Sequence, residues 1–198
     1  SHKRDPETGS HLDRMSRYAW LIAKVIAPRH QLSDEYIEHV FMFAPLHDIG
    51  KFSIPDHILL KPGKLTTEET KIMHAHARMG REIIDEMLNN FGFDKIEYGN
   101  ILRNIAEYHH EHVDGSGYPL GLNGDVIPLE ARIVAVADTF DALTSRRSYK
   151  HAWSNDEAFE MLRQLAGIKL DVECVEIMIE NRKDVEHIQS QFAENELG

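Results

Sequence analysis

Two adjacent histidines, His109 and His110, restrict the possible folds of this chain more than any other feature. Each imidazole nitrogen that loses water on burial must find another polar partner. Metal ions are partners of this kind. A glycine-rich run, residues 114–119, follows the pair, and the segment His47-Asp48-Ile49-Gly50-Lys51 lies far upstream. The sequence therefore predicts a fold that brings these segments together around more than one metal ion.

The length of the chain indicates a single domain, and its cysteine content indicates a protein without disulfide bonds. The chain has 198 residues, which is enough to bury a hydrophobic core. No apolar run approaches about 18 residues, so no membrane span is expected. A single cysteine, Cys174, excludes an internal disulfide and a thiolate-rich zinc site. Since no signal peptide is visible, we expect a cytoplasmic protein in which Cys174 is a small buried hydrophobic residue.

The acidic charge limits the class of ligand. The formal net charge is −11 with histidine neutral, and the chain has 13 histidines. Binding of a duplex nucleic acid needs a positive surface, so this class of partner is not expected. A small anionic ligand is still compatible, because two or three bound divalent cations would make a pocket locally positive.

Helical periodicity runs through almost the whole chain and predicts an all-α fold. Pro45 should disturb the last turn of the second helix and leave His47-Asp48 in irregular backbone. The apolar run 133–137 fits a buried strand on β-propensity alone, but Pro128 introduces it as a helix and no partner strand is predicted. The predicted helices cover approximately residues 5–27, 33–46, 66–88, 96–110, 128–143, 154–165 and 171–191.

The predicted domain organisation is simple. No internal repeat, linker or low-complexity segment interrupts the pattern. Residues 1–198 are therefore expected to form a single bundle of about seven helices. Its core covers about residues 5–153, two C-terminal helices cover about 154–192, and a glycine-rich loop occupies residues 112–127.

Candidate metal ligands lie on several of the predicted helices. Glu7 and His11 are four residues apart and share one helix face, although such a pair is more often solvated. His74 and His76 are only two residues apart, so at most one of them should face a common cluster.

One carboxylate stands out in the apolar helix that follows Pro128. Asp138 lies among apolar residues, where an unpaired buried carboxylate would cost several kcal/mol, and a metal ion is the simplest compensation. Asp141, one turn later, is expected to be the exposed acid of this helix. Lys51, one turn after Asp48, places a cation near that carboxylate, with an ordinary surface lysine as the alternative.

Together these residues supply imidazoles and carboxylates without thiolates. Such a set suits manganese, iron, zinc or nickel rather than a structural zinc site, and carboxylates can bridge two metals. The other histidines lie in polar or terminal contexts and are expected to be bystanders: His30, His39, His57, His112, His151 and His187.

These motifs resemble the HD-GYP domain, a subgroup of the HD phosphohydrolase superfamily that contains bacterial cyclic di-GMP phosphodiesterases. The resemblance covers about residues 7–153. His11, His47-Asp48 and Asp138 are similar to the H…HD…D pattern of the superfamily. The subgroup motifs are His47-Asp48-Ile49-Gly50-Lys51, His109-His110-Glu111, Asp114-Gly115-Ser116-Gly117-Tyr118-Pro119 and Asp138-Thr139-Phe140-Asp141-Ala142-Leu143-Thr144.

The resemblance implies a helical domain with two or three divalent transition metals, iron or manganese first and nickel or zinc as alternatives. Lys51 corresponds to a lysine beside the substrate phosphate, and Arg147 and Lys150 to a basic pair that holds the dinucleotide. His76 is preferred to His74 because it precedes a glycine by four residues, as the family's histidine does. The implied metal ligands are Glu7, His11, His47, Asp48, His76, His109, His110 and Asp138.

The resemblance also implies an enzyme that hydrolyses cyclic di-GMP to pGpG or GMP. Two metals about 4 Å apart would share a hydroxide that attacks phosphorus, with Asp48 and Lys51 as catalytic residues. Such domains are usually outputs of larger two-component signalling proteins. The loop residues Gly117, Tyr118 and Pro119 are implied to contact diguanylate cyclase (GGDEF) domains.

Three alternatives stay open from the sequence. The first is a non-catalytic receptor for cyclic di-GMP, which a missing ligand residue would favour. The second is an HD phosphohydrolase for another nucleotide, such as cyclic GMP-AMP. The third is a protein-interaction module that acts through the glycine-rich loop.

Overall fold

The computed structural model describes residues 9–90, 92, 98–145 and 152–193. Within these ranges the chain is all-α, as predicted, and β-type pairing of the backbone is limited to two isolated bridges, Asp114–Asn123 and Ala166–Leu170. None of the helices described there is both long enough and apolar enough to cross a membrane.

Ten α-helices follow one another along the described chain. They are α1 (Gly9–His30), α2 (Asp34–Phe43), α3 (Asp56–Leu59), α4 (Thr67–His74), α5 (His76–Asn90), α6 (Gly99–Tyr108), α7 (Leu129–Thr144), α8 (Asn155–Leu165), α9 (Val172–Glu180) and α10 (Arg182–Gln191). Short 3-10 helices cover Ala44–Leu46, Ile49–Ser53 and Gly124–Val126.

Several helix starts have side-chain caps. Thr66 and Glu69 form a reciprocal capping box at α4, and Ser154 forms another with Glu157 at α8. Asp171 accepts the Cys174 amide at the start of α9. These caps fix where the helices begin.

Two predicted helices are each divided in two. The helix predicted over residues 66–88 breaks at Ala75, where the His76 side chain donates a hydrogen bond from Nδ1 to the carbonyl oxygen of Met73. The segment predicted over 171–191 breaks at Asn181, whose side-chain amide donates to the Ile177 carbonyl. At Asn181 this short polar side chain competes with the helix for a backbone carbonyl.

Two further differences concern the ends of elements. Helix α1 continues through Pro28 to His30, beyond the end predicted near Ala27. Pro45 lies in the first turn of the 3-10 helix that follows α2, so α2 ends at Phe43 and His47 follows in irregular backbone, as Pro45 predicts.

The main core is built around α1 and α7. Tyr18 of α1 and Phe140 of α7 are fully buried, and their rings meet edge to face with centroids 5.4 Å apart. Helices α2, α6, α8 and α9 complete this core, and a smaller cluster fills the contact between α5 and α6. Packing of α1 on α7 brings the start of α1 beside the carboxylates of α7.

Candidate metal centre

Seven candidate ligands from five parts of the fold converge on one site. They form two groups, and within each group one ligand atom per residue lies within 4.8 Å of the others. The first group is Asp48, His76, His109 and His110, and the second is His11, His47 and Asp138. The structure therefore places seven of the eight sequence-predicted ligands together.

The eighth predicted ligand, Glu7, lies outside the described residues, as do Arg147 and Lys150, the predicted basic pair.

Four of the five histidines are held through Nδ1, and this arrangement determines which nitrogen faces the site. Nδ1 must donate to an oxygen that has no proton, so Nε2 keeps a free lone pair directed to the centre. The acceptors are a carboxylate oxygen of Asp141 for His11 and the carbonyl oxygens of Ala44, Met73 and Ile105 for His47, His76 and His109, at 2.7–2.9 Å.

The ligand atoms around Asp48 test whether metals fit. Nε2 of His76 lies 3.1 Å from Asp48 Oδ1, and Nε2 of His109 lies 3.7 Å from the same oxygen. These three buried atoms make no hydrogen bond to any described residue. Lone pairs that face each other across such distances need a cation between them. The donor set therefore fits divalent metals.

Asp48 is shared between the two groups. Its Oδ1 faces His76 and His109, whereas its Oδ2 lies 3.2 Å from Nε2 of His47. Burial raises the pKa of Asp48, but the imidazoles of His47, His109 and His76 outweigh it and hold that pKa well below its usual value. An ionised carboxylate with one oxygen toward each group can bridge two metals.

His110 completes the first group as a neutral imidazole. Burial lowers the pKa of His110 well below its usual value, and the neighbouring rings of His109 and His76 lower it further. A neutral ring is the form that binds metals.

Lys51 lies at the edge of this arrangement on the 3-10 helix Ile49–Ser53. Its Nζ is 2.5 Å from Asp48 Oδ2, and its side chain is partly exposed. The lysine is therefore anchored to the shared carboxylate and brings a positive charge to the rim of the site.

The roles expected for the two α7 carboxylates are partly reversed. Asp138, expected to be buried, has a side chain that is 25% exposed, and its Oδ1 lies 4.0 Å from Nε2 of both His11 and His47. Asp141, expected to be exposed, is fully buried. It pairs with Arg14 and His11, because α7 presents positions 138 and 141 to α1.

Two glycines allow close backbone contact beneath the first group. A Cβ on Gly50 would lie 1.9 Å from the carbonyl oxygen of His76, so no larger residue fits there without displacement. Gly80 of α5 lies against the Gly50 amide on the other side of this contact. The contact holds the start of α5, and with it His76, against the turn that carries Asp48.

The glycine-rich loop folds back on the histidine pair. A Cβ on Gly117 would lie 2.3 Å from the His112 amide nitrogen, and the Tyr118 amide donates to the carbonyl oxygen of His110. The buried carboxylate of Glu111 accepts the amides of Leu120 and Leu122 at 2.7 and 2.8 Å. The loop is therefore fastened to the segment that carries His109 and His110.

Tyr118 stands between two imidazoles. Its ring stacks on His110 with centroids 4.7 Å apart and on His74 with centroids 3.7 Å apart. Pro119 follows Tyr118 through a cis peptide bond. His74 belongs to neither ligand group among the described residues and is held by its ring contact.

The comparison with protein families agrees with this geometry. Residues 7–174 match the family model described as the HD domain. The chain belongs to the HD-domain family. The match extends past residue 153, where the resemblance noted in the sequence ends, into the α8–α9 region.

Known proteins similar to this HD domain carry related names. A cyclic di-GMP phosphodiesterase response regulator of Xanthomonas campestris is 47% identical over 190 residues, which are 96% of this chain and 47% of the relative. A 3′3′-cGAMP-specific phosphodiesterase of Vibrio cholerae is 39% identical over 178 residues, covering 90% and 32% of the two chains. This HD domain thus spans about half the length of the first relative and about a third of the second.

A solved structure shows the same fold. A crystal structure of a cyclic GMP-AMP specific phosphodiesterase of V. cholerae matches with a TM-score of 0.63 at 17% identity. The match covers 100% of this HD domain and 48% of that chain. At this identity the likeness concerns the fold alone.

Two polar residues of the site are not identified by the sequence reasoning. Asp141 orients His11, and Glu111 fastens the loop. Each has a local signal: Asp141 lies one turn from Asp138 on the same helix face, and Glu111 directly follows the histidine pair. In the structure Asp141 supports a ligand side chain, and Glu111 supports the backbone of the loop.

Proposed function

We propose that this HD domain is a metal-dependent phosphodiesterase that hydrolyses cyclic di-GMP to pGpG or GMP. The observation that carries the proposal is the position of Asp48, whose two oxygens face two groups of imidazole and carboxylate ligands. Names of relatives support the substrate class, since one is a cyclic di-GMP phosphodiesterase and shares 47% of its aligned residues with this chain.

The residues of the site would have separate roles in binding metal ions and phosphate. His76, His109, His110 and Asp48 would hold one divalent ion, and His11, His47 and Asp138 would hold another. Bound divalent ions supply Lewis-acid charge for the phosphoryl oxygens and lower the pKa of water. Lys51, anchored to Asp48, adds a positive charge where the phosphate enters.

Iron or manganese is the proposed metal, because imidazole and carboxylate ligands without thiolates suit both, and nickel or zinc are the alternatives. Glu7 is proposed to support a third ion, on the strength of its position four residues before His11 and of the family resemblance. Metal analysis of a Glu7→Ala variant tests this, since only the third ion should be lost.

Arg147 and Lys150 are proposed to bind the second phosphate of the dinucleotide, again from the family resemblance. Arg147→Ala should raise the KM for cyclic di-GMP while metal content stays unchanged. A small phosphodiester that cannot reach the pair serves as the matched substrate, and its kcat/KM should change much less. Parallel losses on both substrates would contradict this role.

We also propose a signalling context and a protein partner for this HD domain. The name of the first relative, a response regulator, supports placement of this HD domain in two-component signalling. The single cysteine is the ground for proposing a cytoplasmic location. The loop Gly117-Tyr118-Pro119 is a proposed contact for GGDEF domains, and co-purification with such a domain, with and without loop substitutions, tests it.

Product chromatography after incubation with cyclic di-GMP tests the proposed activity. Protein purified anaerobically and loaded with Mn²⁺ or Fe²⁺ should release pGpG or GMP, and Asp48→Ala should abolish turnover while the variant stays folded. Asp156→Ala, which changes an exposed aspartate on α8, should retain wild-type turnover. No product from the loaded wild type would contradict the proposal and favour a binding function.

Cyclic GMP-AMP is a second candidate substrate, because a relative 39% identical is named as specific for 3′3′-cGAMP. The same assay with both dinucleotides distinguishes the candidates by their kcat/KM values. A higher value for cyclic GMP-AMP would reassign the preferred substrate and leave the metal chemistry unchanged.

A further inference from the structure

His74 differs from every other histidine near the metal centre. The ligand histidines are buried or nearly so and direct a nitrogen at the metals, whereas His74 is exposed at the C-terminal end of α4. It belongs to neither ligand group among the described residues. Its closest ring contact is with Tyr118, at a centroid distance of 3.7 Å and an interplanar angle of 5°. One face of the imidazole is therefore covered, and the residue remains open to solvent.

Three rings form a column that runs from the metal centre to the surface. We call His110, Tyr118 and His74 the ring column. The Tyr118 ring lies 4.7 Å from His110 at an angle of 27°, and the nearly parallel His74 ring lies on Tyr118. His110 is a ligand candidate of the first group, and the outer ring of the column is separated from it by the Tyr118 ring alone.

We propose that the outer face of His74 is a stacking site for a purine base of the nucleotide whose phosphate lies at the metal centre. This inference rests on the proposed function. An exposed planar ring that already stacks on an aromatic neighbour is a surface on which another flat ring can add. In a nucleotide only a ribose separates base from phosphate, so a phosphate at the metals brings its base near this column.

The ring column also fits stacking rather than hydrogen-bond recognition. The backbone at Tyr118 is fixed, because its amide donates to the His110 carbonyl and Gly117 is packed against the backbone of residues 110–112. A platform supported in this way does not reorganise when a base arrives, which lowers the entropic cost of binding. Stacking on an imidazole accepts any purine, so the site would favour purine nucleotides without choosing between guanine and adenine.

Direct binding to the metal-loaded protein tests the proposal without turnover. GMP and ribose 5-phosphate share the sugar phosphate, and only GMP has a base. Titration calorimetry on the Mn²⁺-loaded chain should show tighter binding of GMP than of ribose 5-phosphate. His74→Ala should weaken GMP binding about tenfold, the scale of one base–aromatic stack, and should change ribose 5-phosphate binding less than twofold.

Two further variants complete the experiment. His74→Phe keeps a flat ring and should restore GMP binding to near the wild-type value. His187→Ala changes an exposed histidine on α10, a helix that packs on α1 and α9, and should bind both ligands as the wild type does. Metal content, measured on every variant, should stay constant.

The outcomes separate this inference from the proposed function. Unchanged GMP binding in His74→Ala would overturn the stacking site while the proposed function stands. Equal losses for both ligands, or loss of metal, would also overturn it, because His74 would then only brace Tyr118. If neither ligand binds the loaded wild type, both the stacking site and the proposed phosphate chemistry are contradicted.

Discussion

The Asp141 carboxylate accepts a hydrogen bond from Nδ1 of His11 at 2.7 Å, although the two residues are far apart in the sequence. Arg14, one turn from His11 on α1, pairs with the same carboxylate through Nε at 2.7 Å. The Asp141 carboxyl is therefore ionised, and the positive charge of Arg14 balances its negative charge while it orients His11. Hydrogen bonds from Arg14 and His11 overcome the effect of burial and lower the pKa of this carboxyl.

Replacing Asp141 by Asn should weaken metal binding. The substitution removes the charge that orients His11, and loss of such a support typically costs about 10–100-fold in metal affinity. Competition with a chromophoric chelator for Mn²⁺ measures the change. Glu173→Gln, which alters an exposed Glu–His pair with His30, should keep the wild-type affinity. Equal affinities for the two variants would contradict the supporting role of Asp141.

Gly50→Ala should both destabilise the chain and impair metal binding. The added methyl group would meet the His76 carbonyl oxygen at 1.9 Å, and overpacking of this kind costs about 1–3 kcal/mol. Denaturant unfolding with and without Mn²⁺ measures both effects. Gly9→Ala is the matched control, because no atom lies within 4 Å of its added carbon. A Gly50→Ala variant as stable as Gly9→Ala would show that the close contact is absent.

The sequence predicts the helical fold because periodicity, prolines and caps act locally. Pro45 ends α2 and leaves His47 in irregular backbone, as predicted, and the Thr66–Glu69 capping box begins α4 near the start predicted at residue 66. Local sequence patterns do not predict the helix breaks at Ala75 and Asn181. At Ala75 the His76 side chain bonds the Met73 carbonyl, and this bond accompanies a packing contact with Gly50 that no local pattern reveals.

Most candidate ligands stand out in the sequence because histidines and carboxylates in apolar segments are uncommon, and the family resemblance completes the set by favouring His76 over His74. The supporting contacts do not stand out in this way, because they join distant residues. Asp138 and Asp141 lie on one helix, and only the packing of α7 on α1 decides which is buried. The stack of His74 on Tyr118 likewise joins α4 to a loop that is remote in sequence.

Asp171 should make the stability of the chain depend on pH in the acid range. Burial raises the pKa of this carboxyl, but the Cys174 amide and Arg132 outweigh it and hold the pKa below its usual value of 3.8. A carboxyl whose pKa is depressed by folding contributes stability above about pH 3.8 and loses it as the pH falls toward the folded value.

Denaturant unfolding of the metal-free protein, prepared with a chelator, measures this contribution between pH 5 and about pH 3. Asp171→Asn can still cap α9 but has no charge, so its stability should fall less steeply with acidification than that of the wild type. Asp125→Asn alters the other, 96% exposed partner of Arg132 and should keep the wild-type slope. Identical slopes for wild type and Asp171→Asn would contradict the assignment.

The proposed activity requires two metal sites that share Asp48. The ratio of metal to protein, measured by elemental analysis of chain purified without chelator and reconstituted anaerobically with iron or manganese, tests this claim most directly. Two ligand groups joined by one carboxylate predict a ratio of at least about two. A ratio that stays at or below about one after reconstitution would contradict the shared centre.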